Sequence, residues 1–578
     1  MEMDLQQQAA ATTDSKRALV LSAAGSGKTR TLIERIAYLV ETQQVSPYEI
    51  MSFSFTRKAS GEIQSRLVER IGNKAYHCQL GTMHSIGLQM IQRFGDVIGL
   101  KTKQITVYGD WESEYLLKDV AMTLGLHSGK GWKKIKKGDI DEVFELYYSS
   151  GTEPDELNPV HDLFKAFFAR CRENNSMVYG TLLTGLKELI PTMAKYLNIK
   201  HILVDEVQDI DTLQWQIIRG MESAFGASLF VVGDLDQAIF SFRGSRPEYL
   251  LEHQHEFDIY RLENNYRSRA SIVEAANRLI HHNVDRLPMT MVATRTSGDT
   301  GLDARVLRNM DSEALRKYVG ETPVGKPMTI LSRNHSLLIK LSQLLEEAHI
   351  DHRYIGKETK MTNSEEFRRF HAFLKLIVNP YDNFAFLLLK DIIGLSSHEY
   401  AQIRQDAATE GNSHFQIFHE QDGSCTEWYA DSDANLIDVA DRLPFAFPWP
   451  FDVRPIMDFI SKYAEDKRNP TVQGYLGWLA TIDIQDEVKE DYEGLILMTI
   501  HAAKGLEWDT VIVAGCNEEI LPSKQAIRDG NVEEERRLAY VACTRARDTL
   551  VMTVRPEVTE LNGRVYENPV SRFIGEMT

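Results

Sequence analysis

The stretch LSAAGSGKTRTL, at residues 21–32, restricts the fold of this chain more than any other part of the sequence. The residues that lead into it, RALVL at 17–21, are typical of a short buried strand. After Lys28, apolar residues recur at helical spacing on one face, at Leu32, Ile33, Ile36, Ala37 and Val40. A strand, a glycine-rich turn and a helix in this order favour a phosphate-binding loop in an α/β fold.

The residue types in this loop match the chemistry of phosphate binding. The backbone N–H groups of residues 25–29 would surround the phosphates at the start of the helix, where the helix dipole favours anions. Lys28 would reach the β- and γ-phosphates, and the Thr29 hydroxyl would hold Mg²⁺. Ser22 stands where the strict pattern begins with glycine. An ordinary Gly/Ser turn therefore remains the alternative for this motif taken alone.

Two later apolar runs also end in polar residues. Residues 202–204 form a predicted strand that ends at Asp205 and Glu206, and the run SLFVVGDLDQ at 228–237 ends at Gln237. Asp205 is placed to position Mg²⁺, and Glu206 to take the proton from an attacking water. Parallel strands bring their carboxyl ends to one edge of a sheet. The sequence therefore predicts a site that binds and hydrolyses a nucleoside triphosphate.

Length and composition limit the remaining possibilities. A chain of 578 residues is too long for one core, and we expect three to five domains. The net charge of 65 − 83 = −18 weighs against nonspecific coating of nucleic acid, although a narrow basic or aromatic track remains possible. The five cysteines form no C-x-x-C pair, which argues against zinc ribbons, iron–sulfur clusters and a disulfide framework.

The sequence gives no sign of a membrane partner. It contains no run of about 18 apolar residues, and its N-terminus lacks the profile of a signal peptide. We therefore expect a cytoplasmic location. Whether the chain is a monomer or self-associates stays open.

Two motifs far from the phosphate loop carry arginines. They are LENNYRS at residues 262–268 and EEERRLAYVACTRAR at residues 533–547. Arg267 and Arg545 could each approach the γ-phosphate from a second domain and stabilise charge in the transition state. Each of them alone could equally be a surface arginine on a helix.

The order of motifs along the whole chain is more specific than any one of them. In chain order they are LQQQ (5–8), AAGSGKT (23–29), SFTRKA (54–59), GTMHS (81–85), DEVQD (205–209), VGDLDQAIFSFRGS (232–245), LENNYRS (262–268), LMTIHAAKGLEWD (497–509) and EERRLAYVACTRA (534–546). This series resembles that of the superfamily 1A DNA helicases of the UvrD, Rep and PcrA type, over almost the whole length. The resemblance implies two RecA-like P-loop motor domains, whose parallel sheets are flanked by helices, and two mainly helical inserted subdomains.

The resemblance also implies where these parts lie. The first motor domain (1A), which binds ATP, would comprise residues 1–85 and 177–260, with an inserted subdomain (1B) at 86–176. The second motor domain (2A) would comprise residues 261–368 and 491–578, with an inserted subdomain (2B) at 369–490. The second insertion is shorter than in well-known members of the family.

The resemblance implies a role for each residue at the ATP site. Gln7 would read the adenine edge, with Gln6 as runner-up, and Arg30 and Tyr266 would stack on the base. Glu507 would hold the ribose. Gln208 and Gln237 would sense the γ-phosphate. The full nucleotide set is Gln7, Ala24, Gly25, Ser26, Gly27, Lys28, Thr29, Arg30, Gln208, Tyr266 and Glu507, with Lys28, Glu206, Gln237, Arg267 and Arg545 in catalysis and Thr29 and Asp205 on Mg²⁺.

A single-strand DNA track needs aromatic platforms and phosphate donors. Phe55 and Phe242 are the candidate platforms, although ordinary core packing is the alternative for both. The polar candidates are Thr56, Thr82, His84, Arg243, Thr499 and His501. His84 and His501 have no further metal ligands at useful spacing, so we do not expect a metal there. The run GKGWKKIKKGD at residues 129–139 is the most basic in the chain and could touch DNA near a fork, or be a solvated turn.

Three functions remain open from sequence. The leading one is an ATP-dependent helicase or translocase that moves 3′→5′ on single-stranded DNA and acts at junctions with duplex DNA, the polarity being implied by the family. A translocase that strips proteins from DNA and unwinds poorly is the first alternative, which the short second insertion favours. The other is a nucleotide-gated sensor of DNA or DNA ends that works with a nuclease in an anti-phage complex.

Overall fold

The computed structural model describes residues 3–577 with several internal gaps. The gaps are residues 102–104, 129, 298–303, 322–326, 357–361, 363, 423–432, 447–448, 466, 468, 481–493, 556–557, 560–564 and 567–568. None of the described helices is both long and apolar enough to cross a bilayer.

A sheet of six parallel strands forms the centre of the first motor domain. In spatial order its strands are Gln79–Thr82, Ile50–Ser54, His201–Val204, Ser228–Gly233, Arg17–Ser22 and Asp258–Leu262. The inner strands are buried almost throughout, because helices cover both faces of the sheet. The helices of this domain are Leu5–Ala11, Lys28–Glu41, Arg57–Ile71, Met83–Phe94, Leu182–Tyr196, Thr212–Phe225 and Glu248–His253. The order of the strands places the phosphate loop and the tips at Asp205 and Gln237 at one edge of the sheet.

A second sheet of six parallel strands forms the second motor domain. Its spatial order is Ala304–Leu307, Ala546–Thr553, Trp508–Ala514, Met328–Ser332, Leu495–Thr499 and His352–Tyr354. Two further strands, Asn264–Arg269 and Val292–Arg295, pair beside it. The helices are Ala270–Ile280, Ser312–Glu321, His335–Glu347, Lys524–Asp529, Val532–Cys543 and Arg572–Met577, and the strands Val558–Thr559 and Val565–Tyr566 pair antiparallel near the end.

The two insertions are mainly helical. The first has the helices Asp110–Thr123, Lys137–Ser150 and His161–Glu173, and its base is a pair of parallel strands, Thr106–Tyr108 and Ser176–Val178. The second has the helices Glu365–Val378, Asn383–Leu389, Ser397–Glu410, His414–Asp422, Leu436–Ala446, Arg454–Ala464 and Val472–Ala480. The chain thus has two parallel sheets flanked by helices and two helical insertions, as the sequence predicts.

Two of the predicted domain boundaries fall inside helices. The boundary at residue 85 lies in Met83–Phe94, and the buried Ile86 and Ile91 of this helix belong to the same core as the first sheet. The boundary at residue 368 lies in Glu365–Val378. The boundary at residue 490 lies outside the described residues. Sequence patterns mark helices well, but they do not show which core a helix packs against.

A buried polar network joins the two insertions at their bases. The carboxylate of Asp382 is fully buried and accepts hydrogen bonds from Tyr108 Oη at 2.6 Å and Thr106 Oγ1 at 2.7 Å. The amide of Asn379 donates to the Asn174 carbonyl at 2.9 Å and to the Asn175 carbonyl at 3.0 Å. Since buried polar groups are costly without partners, these bonds fix the second insertion against the first.

Asp382→Ala should therefore loosen the joint between the insertions. The change leaves two buried hydroxyls without their acceptor, at a cost of about 3 kcal/mol, and it should lower the melting temperature by roughly 6–12 °C. Scanning calorimetry measures this, with Asp391→Ala as the control, because the Asp391 side chain is 60% exposed. An unchanged melting temperature for Asp382→Ala would contradict the role of this network.

Candidate functional site

The carboxyl ends of the strands in the first sheet and the amino ends of the strands in the second sheet face a cavity of about 870 Å³ between the motor domains. The first motor domain contributes the phosphate loop and the strand tips, and the second contributes residues around its own strand ends. The predicted nucleotide-site residues that line it are Gly25, Ser26, Gly27, Lys28, Thr29, Arg30, Asp205, Glu206, Gln237, Tyr266, Arg267, Glu507 and Arg545. The cavity therefore brings together predicted site residues from both halves of the chain.

The phosphate loop needs glycine at two positions. Gly25 and Gly27 have φ values of +69° and +84°, in the left-handed region that favours glycine. A Cβ atom on Gly27 would also lie 2.6 Å from Gln7 Nε2, and one on Gly25 would lie 2.8 Å from Arg267 Cβ. Ser22, the departure from the strict pattern, is the fully buried last residue of the strand.

Two carboxylates and a lysine meet at the floor of the cavity. Lys28 Nζ lies 3.1 Å from Glu206 Oε2. Burial raises the pKa of Asp205, and the adjacent Glu206 carboxylate raises it further. Burial also raises the pKa of Glu206, but attraction to Lys28 and Lys504 outweighs burial and holds this pKa below its usual range. Glu206 is therefore ionised at neutral pH, as a proton acceptor must be.

This charge arrangement suits a divalent cation. Asp205 and Glu206 place two carboxylates beside the single ammonium of Lys28, and the Thr29 hydroxyl lines the same cavity. Within the described residues, no group of three or more His, Cys, Asp or Glu is arranged to hold a metal by itself. Mg²⁺ at nucleotide sites takes only one or two carboxylates and completes its shell with phosphate and water oxygens, so the donors present fit it.

Gln237 connects the two motor domains across the cavity. Its amide donates to Asp234 Oδ2 at 2.5 Å, and its Oε1 accepts from Arg545 Nη2 at 2.9 Å. Gln208 is fully buried behind the carboxylates, and its amide donates to Glu206 Oε2 at 2.6 Å. Gln237 thus faces the cavity, whereas Gln208 contacts Glu206 from behind.

Glu507 lies between two arginines. Arg267 forms an ion pair with one of its carboxylate oxygens, and Arg547 Nε donates to the other at 2.9 Å. Burial raises the pKa of Glu507, but the two arginines outweigh burial and leave the pKa at about 2. Burial and the neighbouring Arg267 lower the pKa of Arg545 to about 9, so Arg545 remains charged at neutral pH.

The first helix lies beneath the phosphate loop. Gln7 is 2% exposed and outside the cavity lining, and its Nε2 donates to the Ser26 carbonyl at 2.8 Å. Its Oε1 accepts from the Asp4 backbone N–H at 3.2 Å, which closes a capping box on the helix. Gln6 Oε1 accepts from the backbone N–H of Glu263 at 2.9 Å. Both side-chain amides therefore contact protein in this structure.

The base-stacking candidates flank this helix. Tyr266 Oη donates to Asp4 Oδ2 at 2.5 Å, and the Tyr266 backbone N–H donates to the Gly25 carbonyl at 2.9 Å. Arg30 lines the same cavity. Ala24 is buried outside the lining, and its carbonyl accepts from Asn265 Nδ2 at 2.7 Å.

Two further cavities contain all the predicted DNA contacts. One, of about 690 Å³, is lined by Phe55, Phe242, Arg243, Thr499 and His501 among other residues. The other, of about 520 Å³, is lined by Phe55, Thr56, Thr82, His84 and Arg243 among others. Phe55 and Arg243 belong to both. The two cavities therefore adjoin one another across the two motor domains.

Aromatic rings form the wall between the cavities. Phe55 stacks on Phe240 with ring centroids 5.3 Å apart, and Phe242, which is 66% exposed, meets His501 edge-on at 5.3 Å. His84 stacks on Tyr179 at 4.3 Å. Burial lowers the pKa of His84 to about 4, and burial with nearby cations lowers the pKa of His501 to about 3. Both histidines are therefore neutral, aromatic surfaces at neutral pH.

Two family models together match most of the chain. The model described as the UvrD/REP helicase N-terminal domain matches residues 3–258, and that described as the UvrD-like helicase C-terminal domain matches residues 260–422 and 460–557. The chain belongs to the UvrD/Rep helicase family. It is accordingly an ATP-hydrolysing enzyme of the DNA-helicase class.

Similar members of the UvrD/Rep family match over nearly the whole chain. PcrA of Staphylococcus epidermidis (strain RP62A) is 27% identical over 635 positions that cover 100% of this chain and 86% of the relative. PcrA of Bacillus subtilis (strain 168) is 28% identical over 99% of this chain and 85% of the relative. Both relatives are described as ATP-dependent DNA helicases.

The sequence analysis missed Lys504, which lies within the quoted motif LMTIHAAKGLEWD. Lys504 is buried, and its ammonium contacts Asp209 Oδ2 at 2.5 Å and the Gln237 carbonyl at 2.6 Å. It also lies 5.1 Å from the centre of the Phe240 ring. The sequence signal for Lys504 was its position three residues before Glu507 within a helicase motif. Its acidic partner, Asp209, lies 295 positions away, so the pairing left no local pattern.

A cluster at the end of the strand Met328–Ser332 was also missed. Arg333, Asn334 and His335 line the larger of the two DNA cavities. The sequence TILSRNHS has the same pattern of an apolar strand and polar tip that identified Asp205. Applied to the second half of this UvrD/Rep chain, that pattern would have found the cluster.

Gln7→Ala tests what the first helix does for the nucleotide. Because Gln7 supports the phosphate loop, we expect kcat/KM to fall by about tenfold for both ATP and GTP. Steady-state hydrolysis of the two nucleotides measures this, with Gln8→Ala, an exposed change on the same helix, as the control. A loss confined to ATP would instead place Gln7 on the adenine, as the family resemblance implies.

Proposed function

We propose that this chain moves 3′→5′ along single-stranded DNA and couples each step to ATP hydrolysis between its motor domains. The observation that carries the proposal is a shared wall. Phe55 and Phe240 line the nucleotide cavity and also both DNA cavities. A change on the nucleotide side can therefore displace groups on the strand side directly.

At the phosphates, the proposed roles follow the contacts described above. Lys28 holds the β- and γ-phosphates, and Glu206 accepts the proton of the attacking water. Thr29 and Asp205 would hold Mg²⁺, which when bound neutralises phosphate charge. Arg267 and Arg545 stabilise the charge that develops at the γ-phosphate, after Arg267 exchanges its partner Glu507 for phosphate.

Other residues bind the rest of the nucleotide and sense its state. Arg30 and Tyr266 stack on the base, and Glu507 holds the ribose once it parts from Arg267. Gln237 senses the γ-phosphate through its bond to Arg545, and Gln208 acts through Glu206. Adenine reading by Gln7 would require its amide to leave the Ser26 carbonyl.

The strand is proposed to run through the two DNA cavities. Phe55 and Phe242 supply stacking surfaces, which are sequence-tolerant because every base has an aromatic face. Arg243 contributes charge near both cavities. The polar contacts to the strand are Thr56, Thr82, His84, Thr499 and His501, with Arg333 and Asn334 added by the structure.

Duplex unwinding and protein stripping differ in what the second insertion must do. The alignment with the S. epidermidis relative spans 635 positions, whereas this chain has 578 residues, so about 635 − 578 = 57 aligned positions are missing here. The shorter length of this chain favours movement along single-stranded DNA as the main activity, with unwinding at junctions as an additional activity. The nuclease-linked sensor differs in one respect: its hydrolysis would require duplex ends or a partner.

Steady-state ATPase activity with and without single-stranded DNA tests the proposal. The shared wall predicts stimulation of about tenfold or more, which corresponds to about 1.4 kcal/mol of barrier. Lys28→Ala is the blank, because it removes the phosphate contact. Activity that ignores single strands, or that appears only with duplex ends, would reject the translocase and favour the sensor.

In the same assay, Glu206→Gln separates hydrolysis from binding. The amide cannot accept the proton of the water, so turnover should fall by about 10²-fold or more while ATP binding persists. Glu274→Gln, an exposed change on the helix Ala270–Ile280, is the control. Full turnover in Glu206→Gln would show that Glu206 does not accept the proton of the attacking water.

Phe242→Ala tests the strand side separately. Basal ATPase activity should be unchanged, because Phe242 lies outside the nucleotide cavity, whereas translocation should slow by the loss of about 1–3 kcal/mol of stacking. Stopped-flow arrival of the enzyme at a labelled strand end measures the rate. The control is Tyr196→Ala, since Tyr196 is similarly exposed (69%) in the same motor domain. An unchanged rate would disprove the stacking role.

A further inference from the structure

A short turn of the first motor domain carries Gln237 to the nucleotide cavity. We use the name polar turn for residues 234–237, which come directly after the strand Ser228–Gly233. The turn is built around the Asp234 carboxylate, which accepts from the Asp236 backbone N–H at 3.0 Å and from Gln237 Nε2 at 2.5 Å. The backbone at Asp236 and the side chain of Gln237 are therefore fixed to the same group.

The side chain of Asp236 is bound by an arginine of the second motor domain. Arg286 Nε donates to Asp236 Oδ1 at 3.0 Å, and Arg286 Nη2 donates to Asp236 Oδ2 at 2.5 Å. The two side chains are 8% and 5% exposed, so the ion pair is almost completely removed from water. Both residues lie outside the linings of the nucleotide cavity and the two DNA cavities. A bidentate pair of this kind fixes direction as well as distance, because the guanidinium and the carboxylate are both planar.

The segment that carries Arg286 packs on the helix Val532–Cys543. On that helix, Arg537 Nη2 donates to the carbonyl of Asp285, the residue before Arg286, at 2.8 Å. Arg545 comes two residues after the end of the same helix. Arg286 and Arg545 are therefore mounted on one part of the second motor domain, and they approach the polar turn together.

The two arginines bind neighbouring side chains of the polar turn. Arg545 Nη2 donates to Gln237 Oε1 at 2.9 Å, whereas Arg286 holds Asp236. A single hydrogen bond to a side chain with several rotatable bonds leaves the orientation of the turn open. The ion pair at Asp236 adds a second fixed point, and two points define how the turn lies against the second motor domain.

The value of this ion pair lies in its geometry rather than in stability. Desolvation offsets most of the attraction between buried charges, so an apolar pair of the same volume would stabilise the interface equally well. Burial and the neighbouring Asp234 carboxylate raise the pKa of Asp236, and Arg286 opposes both effects. Without Arg286, Asp236 would more readily take up a proton, and the turn would lose this anchor.

We propose that Arg286 is a positioning residue for ATP hydrolysis, whose ion pair with Asp236 orients the polar turn so that Gln237 meets Arg545 at the γ-phosphate. The proposal rests on the proposed function, from which it takes the role of Gln237 at that phosphate. Arg286 does not touch the nucleotide and acts through Asp236. The rate of the reaction should therefore depend on Arg286, whereas the binding of nucleotide should not.

The test compares Arg286→Gln with Arg536→Gln in the full chain. Arg536 is a matched control, because its side chain is 9% exposed and its Nε and Nη2 bind Glu576 of the second motor domain at 2.7 and 2.9 Å. Arg536 Nη1 also donates to Asn283 Oδ1 at 2.6 Å. The control therefore loosens the segment that carries Arg286 and leaves the ion pair with Asp236 in place.

Steady-state hydrolysis over a range of ATP concentrations, with and without single-stranded DNA, gives kcat and KM, and binding of a fluorescent ATP analogue gives its Kd. We expect Arg286→Gln to lower kcat by about tenfold or more, since small misplacements of a reacting group are costly. KM and Kd should stay within about twofold of the parent, because the phosphate loop is undisturbed. In Arg536→Gln, kcat should also stay within about twofold, even if the melting temperature falls.

Two further variants separate geometry from charge and from folding. Arg286→Lys keeps the charge but replaces the planar fork by a single ammonium, so it should restore only part of kcat. The double variant of Arg286→Gln with Asp236→Asn leaves no buried charge unpaired, so it tests the proposal if Arg286→Gln alone does not fold. Because the two residues act through each other, the double variant should be no slower than Arg286→Gln.

An unchanged kcat in Arg286→Gln, an equal loss in Arg536→Gln, or a rise in KM with kcat unchanged would overturn the proposal. Failure of both Arg286→Gln and the double variant to fold would also overturn it, because the pair would then serve stability itself. Hydrolysis by the parent that ignores single-stranded DNA would instead reject the proposed function.

Discussion

The hydrogen bonds of Gln237 hold the reaction site together. Asp234 of the first motor domain and Arg545 of the second bind the same side chain from opposite sides. Lys504 adds a buried ion pair with Asp209 across the same interface. Because a buried charge is costly without its partner, the two motor domains cannot separate at this point without a substitute for each contact. A bound phosphate group could provide such a substitute contact for Arg545.

The parts that sequence predicted well depend on local patterns and one rule of sheet geometry. Apolar strands with polar tips identified Lys28, Asp205 and Gln237, and parallel strands place such tips on one edge. The fold followed from the same patterns and from the family resemblance. The DNA candidates were brought together in two adjoining cavities, although their roles stay predictions.

The parts that sequence could not predict depend on contacts between distant segments. The burial of Gln7 against Ser26, the partner of Lys504 and the acceptor role of Asp382 each join residues whose pairing leaves no local pattern. The predicted boundaries at residues 85 and 368 failed to follow helices for the same reason, since a helix belongs to the core it packs against and not to its position in the chain.

The wall made by Phe55 and Phe240 has a thermodynamic consequence. The two rings line the proposed nucleotide cavity and also the two cavities proposed for the strand. Two ligands that share such a wall obey linkage, so the factor by which nucleotide changes the affinity for the strand equals the factor by which the strand changes the affinity for nucleotide. A nucleotide state that loosens the grip on DNA must itself be held less tightly while DNA is bound. The order in which products and strand are released is then constrained by equilibrium, whatever the rates of the individual steps.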